Sequence, residues 1–354
     1  MKPTVPWKGP CVDGISQSLL SRYLACPERF WIQTILGLRE IQNFSHRMEY
    51  GSMFHLCEER HMAGYPWKAK LQEYCKELGM TYSTARLDIQ KWYHICQVQF
   101  PIYVEWWKNH ESTKYRVEMF SEEKFKVNYK LPSGRTVILR GMFDNVSTIK
   151  KFVCLQENKV KGDINQDQIL AELPSNLQTM IYCTALQAMD INPGMVRYNI
   201  IRRPLSDWRG QFNIKQKKGR KTKKGIIGSE TTDEYHKRLG RMIADNGEHF
   251  FMRWTVPVEK VDIQRFRIEI LDPILDNLVD DYEWWSHCVK ENKNRFDSGI
   301  RVLAFPGHRH RHFRLPFGVY NPIVEGRPGT FAEFIHTGST KGLEPVTNLF
   351  PELT

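Results

Sequence analysis

The chain has 354 residues, 41% of them hydrophobic and 26% charged; that is length for about two domains at ~150 residues each and a balance that excludes a mainly disordered chain. No apolar run approaches the ~18 residues of a membrane span. Lysine and arginine number 51 against 40 aspartate and glutamate, a net charge of +11. Such an excess draws polyanions, nucleic acid first among them, although lysines scattered over a solvated surface would give the same composition.

The opening residues, MKPTVPWKGPC, carry no apolar signal segment, so a cytoplasmic location without membrane association is expected. The eight cysteines include no CxxC pair, and several lie in apolar stretches (Cys154 in FVCL, Cys183 in IYCTAL). They read as free, mostly buried thiols rather than a disulfide framework.

In chain order, Ser16 or Ser18 can cap a first helix whose apolar positions Leu19, Leu20, Tyr23, Leu24, Phe30 and Ile35 recur near helical spacing. Pro27, after Cys26, should kink or restart it, and Gly37 can stop it. Further helices are expected at about 51–63, 68–79 and 84–110, the last rich in aromatics. The period then falls to two. Phe125, Val127 and Tyr129 alternate with polar residues, a turn follows at 131–134, and Val137, Leu139, Gly141 and Phe143 continue as a second strand. A third strand runs over 151–159, and the short connections imply an antiparallel meander. A helix from about 174 to 189, a strand at 195–201, a strand at 250–258 and a long helical segment over 260–290 with Pro273 inside complete the order.

The predicted class is mixed α/β. The core would comprise 1–205 and 248–290, with a helical N-terminal part over 1–113 and a sheet-bearing part over 114–205. Residues 206–247 would be a basic loop and insertion, and 291–354 an irregular C-terminal tail packed on the core. Seven of the ten residues from 215 to 224 are basic (Lys215, Lys217, Lys218, Arg220, Lys221, Lys223 and Lys224). A run that repels itself reads as a loop, either a phosphate-contacting flap or a solvated surface.

The chemistry is carried by residues 141–163, GMFDNVSTIKKFVCLQENKVKGD. Glu157 and Lys159 are two apart on the third strand, so both side chains share one face. The hairpin can bring Asp144, at the end of the second strand, alongside Glu157. Two carboxylates and an ammonium suit a hard divalent cation and phosphodiester cleavage. Spacing alone is not specific, because any surface hairpin can alternate charges; Asp163 and Asp167 nearby read as solvated.

Four pieces in order carry a resemblance. SQSLLSRYLACPERF (16–30), GSMFH (51–55), GMFD…QENK (141–159) and QTMIY (178–182) resemble the motifs of the PD-(D/E)XK nucleases, specifically the RecB-type branch found in bacterial helicase–nucleases and CRISPR-adaptation nucleases. The resemblance spans about 170 residues. It implies a restriction-endonuclease-like core with a mostly antiparallel or mixed central sheet flanked by helices. It also implies Mg²⁺ or Mn²⁺ held by His55, Asp144, Glu157 and the main-chain carbonyl of Asn158. Lys159 would position the attacking water. Gln178 and Tyr182, one helical turn apart, would contact the site or DNA, though Tyr182 also borders an apolar stripe and reads equally as core.

The expected activity is that of a hydrolase, a metal-dependent deoxyribonuclease. An exonuclease acting in recombination, DNA repair or phage DNA processing is the leading reading. A catalytically inactive nucleic-acid-binding or assembly protein on the same fold is the alternative, and an endonuclease a weaker one. Many relatives of the RecB type hold an iron–sulfur cluster through three C-terminal cysteines; only Cys288 follows Cys183 here, so no cluster is expected. His308, His310 and His312 are left without an assigned role. No GxxxxGK[ST] occurs, so a separate helicase or recombination protein would supply any motor.

Overall fold

The computed structural model describes residues 7–35, 37–41, 43–111, 116–162, 167, 176–204, 221–222, 225–226, 231–291, 341–346 and 349–350. The expected basic contacts Lys215, Lys217, Lys218, Arg220, Lys223 and Lys224 lie outside these residues, as do Asp163 and the three tail histidines. Lys221 falls in a short strand, Lys221–Thr222, paired antiparallel with Gly225–Ile226.

A short strand β1 (Ile15–Ser16) leads into α1 (Gln17–Ala25), with the Ser16 hydroxyl accepting from the Leu19 amide. The chain breaks at Cys26 and restarts as α2 (Pro27–Thr34), Pro27 taking the first-turn position where its missing N–H costs nothing. After β2 (Leu38–Glu40), helix α3 spans His46–Met62. It begins a turn earlier than periodicity suggests, because Gly51 is absorbed into the helix with open space around it. Helices α4 (Trp67–Thr81) and α5 (Arg86–His110) follow.

The meander is β3 (Arg116–Lys130), β4 (Thr136–Ile149) and β5 (Phe152–Lys161). Helix α6 (Leu177–Ala188) then crosses over, so β6 (Pro193–Arg202) pairs parallel to β5. Helix α7 (Thr232–Ala244) opens with a capping box between Thr231 and Glu234. Strand β7 (Phe251–Pro257) lies antiparallel to β6. The final helical stretch is divided: α8 (Lys260–Phe266), one π-helical stretch over Arg267–Leu271, then α9 (Asp272–Glu291). The wider turn precedes Pro273, which would otherwise break the ladder. Leu343–Pro345 pairs with β2.

The result is a mixed α/β fold with a central six-stranded mixed sheet between two helical layers. One layer, α1, α2, α6, α8 and α9, packs around Leu19, Phe30, Phe143, Leu186, Leu275 and Leu278. The other, α3, α4, α5 and α7, packs around Tyr50, Phe54, Trp92, Phe100, Tyr235 and Leu239. No helix among the described residues is long and apolar enough to cross a membrane.

The register of β4 locates the site. Its whole length pairs with β3 on one edge. On the other edge Leu139 and Arg140 pair with β1, while Asn145–Ile149 pair with β5. Between those two partners the edge is open at 141–144, and the sheet forks.

Candidate active site

The fork is terminated by a side chain. Asp144 Oδ2 accepts the main-chain N–H of Asn158 at 2.7 Å, taking the place a strand carbonyl would occupy had β4 and β5 stayed paired. Beside it, Lys159 Nζ donates to Glu157 Oε1 and to Gln178 Oε1, both at 2.6 Å. Strand alternation thus puts Glu157 and Lys159 on the α6 side, where Gln178 meets them. Gln178 Nε2 in turn lies 3.4 Å from the Tyr182 hydroxyl. Tyr182 is 8% exposed, and its ring packs edge-on against Phe125 and Phe143. Gly141 permits this, since a Cβ there would stand 2.7 Å from the Phe125 ring and 3.0 Å from that of Tyr182.

His55 reaches the fork from α3. Burial lowers its pKa, and a hydrogen bond to the Asn158 main chain opposes that shift; the neutral imidazole that burial favours is the form that ligates metals. One ligand atom each from His55, Asp144 and Glu122 lies within 4.8 Å of the others. Glu122 had no place in the sequence reading. The register of β3 on β4, with Ser121 opposite Asn145 and Glu123 opposite Phe143, puts Glu122 across from Asp144, on the face away from Phe125. Glu122 also has φ of 49°, a left-handed backbone rare outside glycine.

The electrostatics favour a cation. Burial pushes the Asp144 carboxyl up to about 6, against the Asn158 amide and Lys159. Burial and then the Asp144 charge push Glu157 up to about 7, against Lys159. Glu122 rises to about 9, first through burial and then through Asp144. Glu157 Oε2 is buried with no hydrogen-bond partner among the described residues. Crowded carboxylates with an orphan oxygen are what a hard divalent ion satisfies. His55, Asp144, Glu157 and Glu122 therefore fit a metal by donor type, and Asn158 lies against His55 with its main chain in reach.

Behind the fork, on the α3–α5 side, a cleft of about 640 Å³ reaches Asp144, Glu122, Glu58, Tyr103 and Arg253. A buried polar network crosses its floor. Asn158 Oδ1 accepts from Gln156 and from Asn199 Nδ2 at 3.0 and 2.8 Å. Asn199 Nδ2 also donates to the Tyr103 hydroxyl at 2.7 Å, which donates to Glu58 Oε1 at 2.6 Å. Arg253 Nε donates to Asn199 Oδ1 at 3.0 Å, and Arg253 and Arg197 share Glu111 as ion-pair partner. Glu58 was legible in principle: it stands three residues after His55, on the same helix face. Asp167 is exposed, as expected.

No curated protein matches this chain closely enough to name a relative. A family model described as the PD-(D/E)XK nuclease superfamily matches residues 14–262, a span that contains the fork, both carboxylates of the hairpin, Lys159, His55 and helix α6. Members of that superfamily are nucleases that use divalent metals, and the match covers more than half of the sequence. This chain belongs to the PD-(D/E)XK nuclease superfamily.

Proposed function

We propose that the chain is a Mg²⁺- or Mn²⁺-dependent deoxyribonuclease of the RecB type. In this reading it is an exonuclease serving recombination, repair or phage DNA processing, beside a separate helicase or recombination protein. The observation that carries the proposal is the clamp on Lys159, held between Glu157 and Gln178 next to the His55–Glu122–Asp144 trio. His55, Asp144, Glu157 and the Asn158 carbonyl would hold the metal. When bound, the ion supplies Lewis-acid polarisation of the phosphodiester and acidification of water.

The remaining roles belong to the protein. Two of the three ammonium donors of Lys159 are used by Glu157 and Gln178; the third is available to orient a water or to meet charge growing on a phosphate oxygen. Gln178 fixes the lysine rotamer, and Tyr182, packed on Phe125 and Phe143, fixes the Gln178 end of helix α6. The Asn199–Tyr103–Glu58 network supports the Asn158 side chain from behind the strand. Water attacking in line would leave a 5′-phosphate and a 3′-hydroxyl, as the family resemblance implies.

The test is degradation of end-labelled linear and covalently closed DNA in Mg²⁺ or Mn²⁺, with Lys159→Ala as comparison. Loss of linear DNA with closed circles spared, slowed ~10²–10³-fold in the variant, is the expected result. Cutting of closed circles would replace the exonuclease with an endonuclease. DNA bound but uncut by the parent chain would leave a binding or assembly protein.

A further inference from the structure

Among the described residues, no carboxylate pairs with the cation at the end of β6. Arg203 is 6% exposed and its Nε has no hydrogen-bond partner. No ion pair involves it among the described residues. Its pKa is lowered by burial and then by the neighbouring Arg47 guanidinium. A guanidinium withdrawn from water beside a like charge is unfavourable unless an anion completes it.

The surroundings hold Arg203 in place from several sides. Its main-chain N–H donates to the Lys161 carbonyl at 2.7 Å, at the end of the strand that carries Glu157 and Lys159. The preceding carbonyl, of Arg202, accepts from Gln99 at 2.7 Å, and Gln99 accepts from the Tyr50 hydroxyl at 2.6 Å. Gly162 leaves room for the side chain: a Cβ there would stand 2.9 Å from Arg203 Nη2. The guanidinium lies 5.4 Å from the Trp92 ring centroid. The same indole carries the His46 ring stacked at 5.6 Å and 5°, and Lys91 Nζ at 5.7 Å. His46 and Arg47 open the 17-residue helix α3, whose N-cap Ser45 makes no side-chain hydrogen bond, so the positive helix end adds to the cluster. Asp88 is the carboxylate that bears on His46; among the described residues no ion pair involves Arg203 or Arg47.

We propose that Arg203, Arg47, His46 and Lys91, gathered around Trp92 at the N-terminus of α3, form a phosphate-binding subsite for the DNA strand that passes through the active site. The subsite rests on the nuclease reading above. A guanidinium presents the planar fork that matches phosphate oxygens, and a helix N-terminus favours the same charge. His46 precedes His55 by nine residues on one helix, ~13.5 Å along its axis, about four nucleotides at ~3.4 Å of rise each. The strand's backbone would therefore meet this cluster a few nucleotides from the bond that is cut.

The test is fluorescence anisotropy with a fluorescein-labelled 20-nucleotide single strand and its duplex, in EDTA so that nothing is hydrolysed, with thermal melting in parallel. Arg203→Met and Arg47→Met should each weaken binding roughly tenfold and reduce the salt slope by ~0.7–0.9. Arg203→Met should melt no lower than the parent, because it removes an unanswered buried charge. Unchanged affinity and slope in both variants would overturn the subsite, as would a lower melting temperature for Arg203→Met with DNA binding intact. If Arg203→Met does not fold, the exposed Arg47→Met carries the same comparison. Cleavage is scored separately. A parent chain that binds through these arginines yet cuts nothing defeats the nuclease reading and keeps the subsite, whereas cutting with binding indifferent to both arginines does the reverse.

Discussion

The two sides of the central sheet treat buried polar groups differently. Under α1, α2, α6, α8 and α9 the core is apolar, and its buried carboxylates are met by tyrosines: Tyr23 donates to Asp281 at 2.7 Å, and Tyr129 donates to Asp272 while Arg267 Nε approaches the same hydroxyl at 2.9 Å. Around the fork and along the α3–α5 side, charges are buried with atoms left over. Among the described residues, Glu157 Oε2, Glu58 Oε2 and Arg203 Nε have no hydrogen-bond partner. The buried carboxylates of the first side are answered by tyrosines among the described residues, whereas those around the fork keep spare oxygens. On the proposed reading, the spare carboxylate oxygens at the fork would meet a metal and Arg203 a phosphate.

The widest gap between the sides should appear in stability. Leu275→Ala, at a fully buried position of the apolar layer, should cost about 2–5 kcal/mol through lost transfer energy and a cavity. Denaturant melts would read this, and the effect of Mn²⁺ on melting should survive as long as the variant folds. A cost below 1 kcal/mol would mean that this layer is not the structural half.

A smaller effect is expected on the other side. Mn²⁺ should raise the melting temperature of the parent chain, by up to about 2.7 kcal/mol of stabilisation at a hundred times the Kd. Glu122→Gln should leave the metal-free melting temperature nearly unchanged, since burial and Asp144 already keep this carboxyl protonated near neutrality. It should nevertheless reduce the Mn²⁺-induced rise. A rise of parental size in the variant would remove Glu122 from the metal's reach.

The smallest effect concerns pH. His94 Nδ1 and His236 Nε2 are 3.1 Å apart between α5 and α7. Burial, then the His236 charge, lowers His94 to about 4, and burial lowers His236. The folded state therefore holds both rings neutral while the unfolded chain takes up protons near ~6.5. Their contribution is complete above that pH and is lost as the pH falls toward about 4. The parent's melting temperature should drop over this window, and His236→Gln should flatten the drop by a few degrees. Parallel curves for parent and variant would show that the pair does not titrate with folding.

Much of the site is written locally. Glu157 and Lys159 share a strand face by period alone, and Gln178 and Tyr182 share a helix face by theirs; the ion pair and the Gln178 contact follow from those periods. The hairpin likewise forced Asp144 toward Glu157. What the pattern of one strand could not supply was Glu122, which meets Asp144 through the register of β3 on β4. Nor could it supply the Glu58–Asn199 contact, made across 141 residues of chain, or the isolation of Arg203, which exists only once β6 meets α3 and α5. Strands of two or three residues, such as β1 and β2, have no period to read, yet β1 sets one boundary of the fork.

The Asp144 carboxylate has a double attachment with a consequence for how this architecture can change. One of its oxygens closes an open rung of the sheet by accepting the Asn158 amide, and its carboxyl group also belongs to the His55–Glu122–Asp144 trio. Chemistry and scaffold are thus secured by the same side chain. Any drift at position 144 to a residue that cannot accept that bond exposes an unpaired backbone donor and, on the proposed reading, removes a metal ligand at the same moment. A descendant that abandoned catalysis could shed Lys159 or Gln178 at modest structural cost, while Asp144 would persist as a relic holding the strands.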